Sequence, residues 1–391
     1  MPSLKAHFSR ALSGGGGRLH LAAHSHHLWP DVSLTAHLQA WEDAATLWDA
    51  KWARIFGAVL PEAQRHIARH LHLPDPGAIA FAPNTHEFVV RLFSALPRGR
   101  AARVLTTDGE FHSFARQAAR LAEDGAIELD IVQVEPFADF PARFMQAAAR
   151  GHDLVFFSQV FFNSGFALSD LDALVRAVPN PEALVVVDGY HAFMALPVDL
   201  SGIAARAFYL GGGYKYAAAG EGACFLVCPP GYARRPTDTG WYAAFGALAQ
   251  AGGGLVSYAP DGGRFMGATF DPSGLYRLNA VMRWLQASGI GGAEVHARAR
   301  AMQSAFLAAL DAASLPGLSS RALILPAGSP HRGNFLAFRF EGAADTQARL
   351  EAAGIVTDVR GDVLRIGFGL YHDPDDVPAM VARIEAALAT A

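Results

Sequence analysis

The rhythm of apolar and polar positions changes near residue 79. From Val32 to about Leu73 the chain reads as helices, with Trp41, Ala45, Trp48, Trp52 and Ile55 recurring at three- and four-residue steps. That spacing makes one apolar helical face, which predicts core packing. From Ile79 onward, short apolar runs alternate with amphipathic stretches. The runs are Ala78–Ala82, Val104–Thr106, Leu129–Val134, Leu154–Ser158, Leu184–Val187, Phe208–Leu210 and Cys224–Val227. Between the earlier ones lie helical patterns at Thr85–Leu96, Ser113–Ala122, Ala142–Ala149 and Asp170–Ala177. Buried strands alternating with helices predict an α/β fold, a large domain whose mostly parallel seven-stranded sheet is flanked by helices. After Asp271 a long helical segment runs to about Ala312. Then come Asn334–Phe340, a helix near Thr346–Ala353, the strand Val363–Phe368 and a last helix near Val377–Ala389. These predict a smaller α+β C-terminal domain. The expected organisation is an N-terminal arm and helices over 1–75, a large domain over 76–275 and a small one over 276–391. Ser13 to Gly17 reads as a flexible joint, and no internal repeat is visible.

Composition narrows the function classes. The chain has 391 residues, 51% hydrophobic, with a formal net charge of -4. It is long enough for a large core, and it has no basic run, which argues against nucleic-acid binding. Two cysteines cannot form a disulfide framework and suit a reducing, cytoplasmic setting. The N-terminus lacks the apolar run of a signal peptide. Thr239 to Pro260 carries no charge but is glycine-rich, including Gly252-Gly253-Gly254. It is too weakly apolar for the roughly 20-residue span a membrane helix needs. It reads instead as a loop packed at a buried interface.

Four segments carry candidate chemistry. Lys215 stands alone among glycines, aromatics and alanines in Tyr209–Gly222, between two strands. An apolar setting lowers a lysine's pKa and makes the amine nucleophilic. A phosphate loop is excluded, because both neighbours of the lysine are tyrosines. Asp188 ends the buried run Leu184–Val187, and no G-x-G-x-x-G turn precedes it. A carboxylate and a lysine at neighbouring strand ends suit pyridoxal phosphate: the lysine holds the aldehyde, and the carboxylate keeps the ring nitrogen protonated. In Phe81–Glu87, Asn84 reads as an N-cap with Glu87 completing a capping box. The helix start with Thr85 is a natural phosphate cradle. Arg365, in an apolar strand, reads either as a carboxylate grip or as an edge-strand structural ion pair. His24, His26 and His27 cluster, but no third ligand is identifiable, so no metal site is expected.

These residues resemble the class V aminotransferase group of fold-type I pyridoxal-phosphate enzymes, and among them kynureninases most. The resemblance spans about His20 to Tyr371. It rests on Asp188-x-x-His191, then Tyr214-Lys215-Tyr216-x-x-Ala-Gly, Gly240-Trp241 and Arg264-Phe-Met-Gly-Ala-Thr269, in that order. It implies Lys215 as the Schiff-base lysine, Asp188 as partner of the pyridine nitrogen and His191 as part of the cofactor site. It implies Asn84, Thr85 and Tyr214 at the phosphate and Phe111 stacked on the ring. Trp241 and Thr269 would reach the cofactor of a neighbouring subunit, making a homodimer with shared active sites. Arg365 would hold the substrate α-carboxylate, and Ser25 is the kept residue of an N-terminal substrate-binding segment. Two departures stand out. That segment appears here as Ala23-His-Ser-His-His27, and an aromatic of the aryl pocket falls on Gly57.

The resemblance implies a small amino-acid substrate, with no nucleic-acid or membrane partner, and hydrolytic Cβ–Cγ cleavage releasing alanine. The alternatives are transamination or a lyase reaction on another amino acid, or a catalytically silent cofactor-binding protein. Desulfuration requires a nucleophilic cysteine on a C-terminal loop. Cys224 and Cys228 instead lie in or just after a strand behind the lysine.

Overall fold

The computed structural model describes residues 2–250, 254–315 and 317–389. The N-terminal region holds α1 (Ser9–Gly14), β1 (Leu19–His20), α2 (Val32–Leu47), α3 (Lys51–Arg54) and α4 (Leu60–Leu71). The large α/β unit follows with β2 (Ile79–Ala82), α5 (Thr85–Ser94), β3 (Ala102–Thr107), α6 (His112–Glu123) and β4 (Ile127–Val132). It continues with α7 (Phe140–Ala148), β5 (Leu154–Ser158), α8 (Leu171–Arg176), β6 (Leu184–Asp188), β7 (Ala207–Gly212), β8 (Cys224–Val227) and α9 (Ser273–Ala287). The C-terminal part holds α10 (Gly292–Ala313), β9 (Phe335–Arg339), α11 (Ala343–Ala352), β10 (Ile355–Val356), β11 (Asp358–Arg360), β12 (Val363–Gly367) and α12 (Val377–Ala389).

The large sheet has seven strands in the order β2-β8-β7-β6-β5-β3-β4. β8 runs antiparallel to both its neighbours, and the pairs β7-β6, β6-β5, β5-β3 and β3-β4 are parallel. This is the α/β architecture that the alternation predicts. The central strands β5 and β7 are buried along their whole length, because helices cover both faces of the sheet. Each fully buried Val, Leu or Phe contributes about 1.5–3 kcal/mol. A second core lies between α10, α12 and the three-stranded sheet β11-β12-β9, around Phe306, Phe338 and Ile384. The N-terminal arm belongs to that side. β1 pairs in parallel with β10, and Ala22 bridges Gly367.

Three expectations are corrected. The apolar stripe is core only at its later end: Trp41 is 69% exposed and Trp48 77% exposed, whereas Ile55 is buried and Trp52 packs against the core. α2 instead turns a polar position inward. Buried Asp43 accepts from Tyr276 Oη at 2.7 Å and from Gln39 at 2.8 Å, and it pairs with Arg54 at 2.9 Å. The helix then breaks at Trp48, whose φ is 51°, which sends the later part of the stripe in a new direction. The long helical segment after Asp271 is two helices, α9 and α10, separated at Ser288–Gly291. Arg365 is not on an edge strand, since β12 lies between β11 and β9. Gly252 and Gly253 of the uncharged run lie outside the described residues. Of its flanks, Phe245, Leu255 and Val256 are exposed in the single chain. No helix among the described residues is long and apolar enough to cross a membrane.

Candidate active site

The carboxyl ends of β3, β5, β6 and β7 converge on Lys215. β7 ends in Gly211-Gly212, and the chain turns back at Lys215 toward β8. At Gly212 a Cβ would overlap the Tyr190 hydroxyl, so glycine lets the strand end pass close to that ring. Lys215 is 6% exposed, and its Nζ lies 2.7 Å from His191 Nε2. The ring centroids of Tyr190, Tyr214 and Phe111 stand 5.0, 5.5 and 5.7 Å from the same Nζ. Burial pushes the amine down to about 7, against the pull of Asp188; Arg365 adds to the lowering. An amine so held is a base and a nucleophile near neutrality. Burial, then the charges of Lys215 and Arg365, keep His191 well below the usual histidine range. The neutral ring accepts from Lys215 at Nε2, which puts its proton on Nδ1, and buried Nδ1 has no partner.

Asp188 lies at the end of β6, and its Oδ1 accepts the Tyr190 N–H at 2.9 Å. Burial raises its carboxyl, while the Tyr190 N–H and Lys215 oppose the rise. A cation placed against it, such as a protonated pyridine nitrogen, would hold it ionised. The helix start at Asn84–Thr85 joins the same cleft through one chain of contacts. Tyr190 Oη lies 3.2 Å from Cys224 Sγ, and the Thr85 backbone N–H reaches that thiol. Asn84 Oδ1 caps α5 by accepting from the Glu87 N–H at 3.2 Å. The capping box is only half made, because the Glu87 carboxylate turns to Arg91 at 2.7 Å.

Phe111, Asp188, His191, Tyr214 and Lys215 thus come together, and Thr85 adjoins them through Cys224, whereas exposed Asn84 bonds only within its own helix. Tyr214 also stacks on His26, with centroids 5.0 Å apart. Arg365 enters from the small domain, 2% exposed. It pairs with Asp358, its register partner on β11, and donates to the Phe162 carbonyl of the large domain. The structural ion pair is therefore present in this state, and the arginine faces the cleft as well. Burial lowers its guanidinium to about 10, with Asp358 opposing. Trp241 and Thr269 are exposed on the surface of the single chain. Ser25 lies in the partly exposed turn after His24. The three clustered histidines point to different partners: His24 to Phe335, His26 to Tyr214 and His27 to the Leu28 carbonyl and the Leu370 N–H.

Sequence reasoning missed Glu110. This buried carboxyl accepts from Ser158 Oγ and Thr107 Oγ1, both at 2.6 Å, and from the Ser158 N–H at 3.1 Å. Burial pushes it up to about 8, and Asp188 adds to the rise. The available signal was its position, three residues past the end of β3 and directly before Phe111.

The aminotransferase class-V profile matches residues 51–380. The chain belongs to this family. Pyridoxal 5′-phosphate, the family's cofactor, is the cofactor of this class-V protein, and the donor set fits it: a buried amine of lowered pKa, a strand-end carboxylate and an open helix N-terminus. Solved structures share the fold. A cysteine desulfurase from Thermococcus onnurineus NA1 has 16% identity and a TM-score of 0.80, with 100% of this chain and 99% of that chain covered. The cystine C-S lyase C-DES, in complex with its reaction product cysteine persulfide, has 19% identity and a TM-score of 0.78, covering 96% and 99%. The cysteine desulfurase CsdA of Escherichia coli has 18% identity and a TM-score of 0.76, covering 98% and 97%. No curated protein sequence matches the chain.

Proposed function

We propose that this class-V protein is a lyase that removes a leaving group from the β-carbon of an α-amino acid. The observation that carries this reading is a contrast between the lysine and the chain's two cysteines: Lys215 is activated beside His191, and both thiols are buried in or just after β8 and are not. Lys215 is held near neutrality at about 7, whereas burial pushes Cys224 and Cys228 up to about 12. A protonated, buried thiol is a poor nucleophile, which disfavours sulfur capture on the enzyme. The likeness to a cystine C-S lyase supports the same reading.

The bound cofactor would supply an aldehyde for Lys215 and a ring that stores an electron pair. Asp188 would hold the proton on the ring nitrogen, and the positive N-terminal end of α5 would face the phosphate. His191, neutral, accepts one N–H of the Lys215 amine, which would leave the amine lone pair free to take the substrate Cα proton. Phe111 and Tyr190 wall the amine off from water. Arg365 would receive the α-carboxylate.

A second reading, hydrolytic Cβ–Cγ cleavage, is favoured by the motifs Asp188-x-x-His191 and Arg264–Thr269. A contiguous aromatic group of Trp52, Phe56, Tyr242 and Phe270 also suits an aryl substrate. The test is product analysis with L-cystine, β-chloro-L-alanine and L-kynurenine. Pyruvate from the first two, lost in Lys215→Ala, is expected. Alanine and an aryl acid from L-kynurenine, without pyruvate from either β-substituted alanine, would replace the lyase reading with the second.

A further inference from the structure

One buried ring gathers three side chains that carry unpartnered polar atoms. His24 is fully buried and stacks on Phe335, with centroids 4.6 Å apart. The same phenyl ring lies 5.7 Å from the His191 ring and 5.7 Å from Arg365 Cζ. Neither His24 nitrogen has a hydrogen-bond partner, nor does Arg365 Nε or His191 Nδ1. The nearest anion to His24 is Asp358, whose Oδ2 is 3.9 Å from Nε2, beyond hydrogen-bond reach. Asp358 is already engaged by Arg365 and by Arg360 at 2.6 Å. An unpaired buried donor costs about 1–3 kcal/mol, so a group of such atoms around one ring points to a ligand that completes them.

The backbone fixes this arrangement. Arg365 and Gly367 are two residues apart on β12 and share one face of the sheet. His24 fills the space that Gly367 leaves, where a Cβ would collide with the imidazole. The arm is stitched there by the Ala23 N–H to the Gly367 carbonyl at 3.1 Å. Phe335 is the register partner of Gly367 on β9. His24 is therefore held at a set position beside Arg365. Arg365 spends two nitrogens on Asp358 and the Phe162 carbonyl, which leaves Nε as its unpaired nitrogen. After burial, the charges of Arg365 and Lys215 are the main influences that keep His24 neutral, so the imidazole lies within the field of both ends of the cleft.

We propose that His24 is a substrate-contacting, specificity-determining residue whose N–H and Arg365 Nε together receive the carboxylate of the amino-acid substrate. The proposal rests on the reading of Arg365 as the carboxylate anchor. A neutral imidazole donor beside a half-neutralised guanidinium matches one singly charged carboxylate at that place.

The experiment uses the holoenzyme and two aminooxy probes, aminooxyacetate and O-methylhydroxylamine. Both condense with the cofactor aldehyde, and only the first carries a carboxylate. The readout is the ratio of their apparent second-order rate constants, followed by the change in visible absorption. The ratio should favour aminooxyacetate in the wild type. His24→Phe keeps a ring against Phe335 but has no donor, and it should lower the ratio roughly ten- to hundredfold with the O-methylhydroxylamine rate unchanged. His24→Leu, a second donor-free variant, should do the same, and His24→Gln should recover part of the ratio. Arg365→Gln is the control and should also lower it. A full ratio in His24→Phe or His24→Leu, with loss in Arg365→Gln, overturns the role of His24 and leaves the anchor standing. Equal slowing of both probes in a donor-free variant marks a structural role and also overturns it. A wild-type ratio near one removes the anchor reading itself, and the proposal with it.

Discussion

Glu110 carries a pH prediction that belongs to a single side chain. Its carboxyl titrates at about 8 in the fold, against an ordinary value of 4.5. Below pH 4.5 the carboxyl is protonated in both states and contributes no pH dependence. Between 4.5 and about 8 the unfolded chain ionises first, so the folded state binds the extra proton and stability falls as pH rises. Above about 8 the contribution levels off. Glu110→Gln copies the protonated form: an amide oxygen can accept from Thr107 and the Ser158 N–H, and an NH2 can donate to Ser158 Oγ. Relative to wild type, the variant should gain stability progressively from pH 4.5 to 8 in urea denaturation, and then no more. Parallel stability curves would show that Glu110 ionises normally in the fold. Asp358 carries a second prediction at this scale, one of stability alone. It is the half-buried partner of Arg365, and Asp358→Ala should cost about 3–5 kcal/mol because a buried guanidinium loses its counter-charge. A loss under about 1 kcal/mol in the same assay would show that the pair is dispensable.

At the scale of elements, the N-terminus of α5 separates stability from cofactor binding. Asn84→Ala removes the side-chain cap and should cost about 1 kcal/mol. It should also speed loss of pyridoxal phosphate on dialysis, as expected of a helix start that holds the phosphate. Asp170→Ala removes the analogous cap of α8, where Oδ1 accepts from the Ala173 N–H at 2.8 Å. It should cost similar stability with no change in cofactor retention, and equal retention in both variants would remove α5 from the phosphate site. The strands were legible in the sequence because burial on both faces writes them as unbroken apolar runs, as in Leu184–Val187. Asp188 was legible as a carboxylate ending such a run, and Lys215 as a lone charge in the apolar turn between two strands. The direction of α2 was not, because its inward face is held by the hydrogen bonds of Asp43, a polar residue that an apolar-periodicity reading assigns to solvent. The ring of unpaired atoms around Phe335 was equally hidden. It joins residues 24, 191 and 365, whose meeting depends on the arm docking along β12.

For the whole molecule, the surface of the single chain states what it lacks. Leu38, Trp41 and Trp48 are exposed on α2 and the turn after it, and Trp241, Phe245, Leu255 and Val256 are exposed on the uncharged segment. Phe245 stacks on Phe56, with centroids 4.7 Å apart, so the second group continues into the helices of the first region. Clustered exposed aromatics of this kind suit a protein–protein contact. The motif resemblance implies that Trp241 and Thr269 would reach a neighbouring subunit's cofactor, and both are exposed here. The expected assembly is a homodimer with two composite sites. Trp41→Asp should shift the sedimentation coefficient toward the monomer and reduce cofactor retention together, although Trp41 itself is given no part in the chemistry. Complementation gives the sharper test. Lys215→Ala and Thr269→Ala chains should each be impaired alone, the first through the missing amine and the second through a lost hydrogen bond to a charged phosphate, roughly ten- to hundredfold in affinity. In a mixed dimer one site would combine the intact Lys215 of one chain with the intact Thr269 of the other. Mixing equal amounts under subunit exchange should therefore restore cofactor binding and turnover to about half of the mixed dimers' sites. A fully active monomer in sedimentation, or no recovery on mixing while exchange is shown by differential labelling, would place Thr269 outside the partner's site and end the composite arrangement.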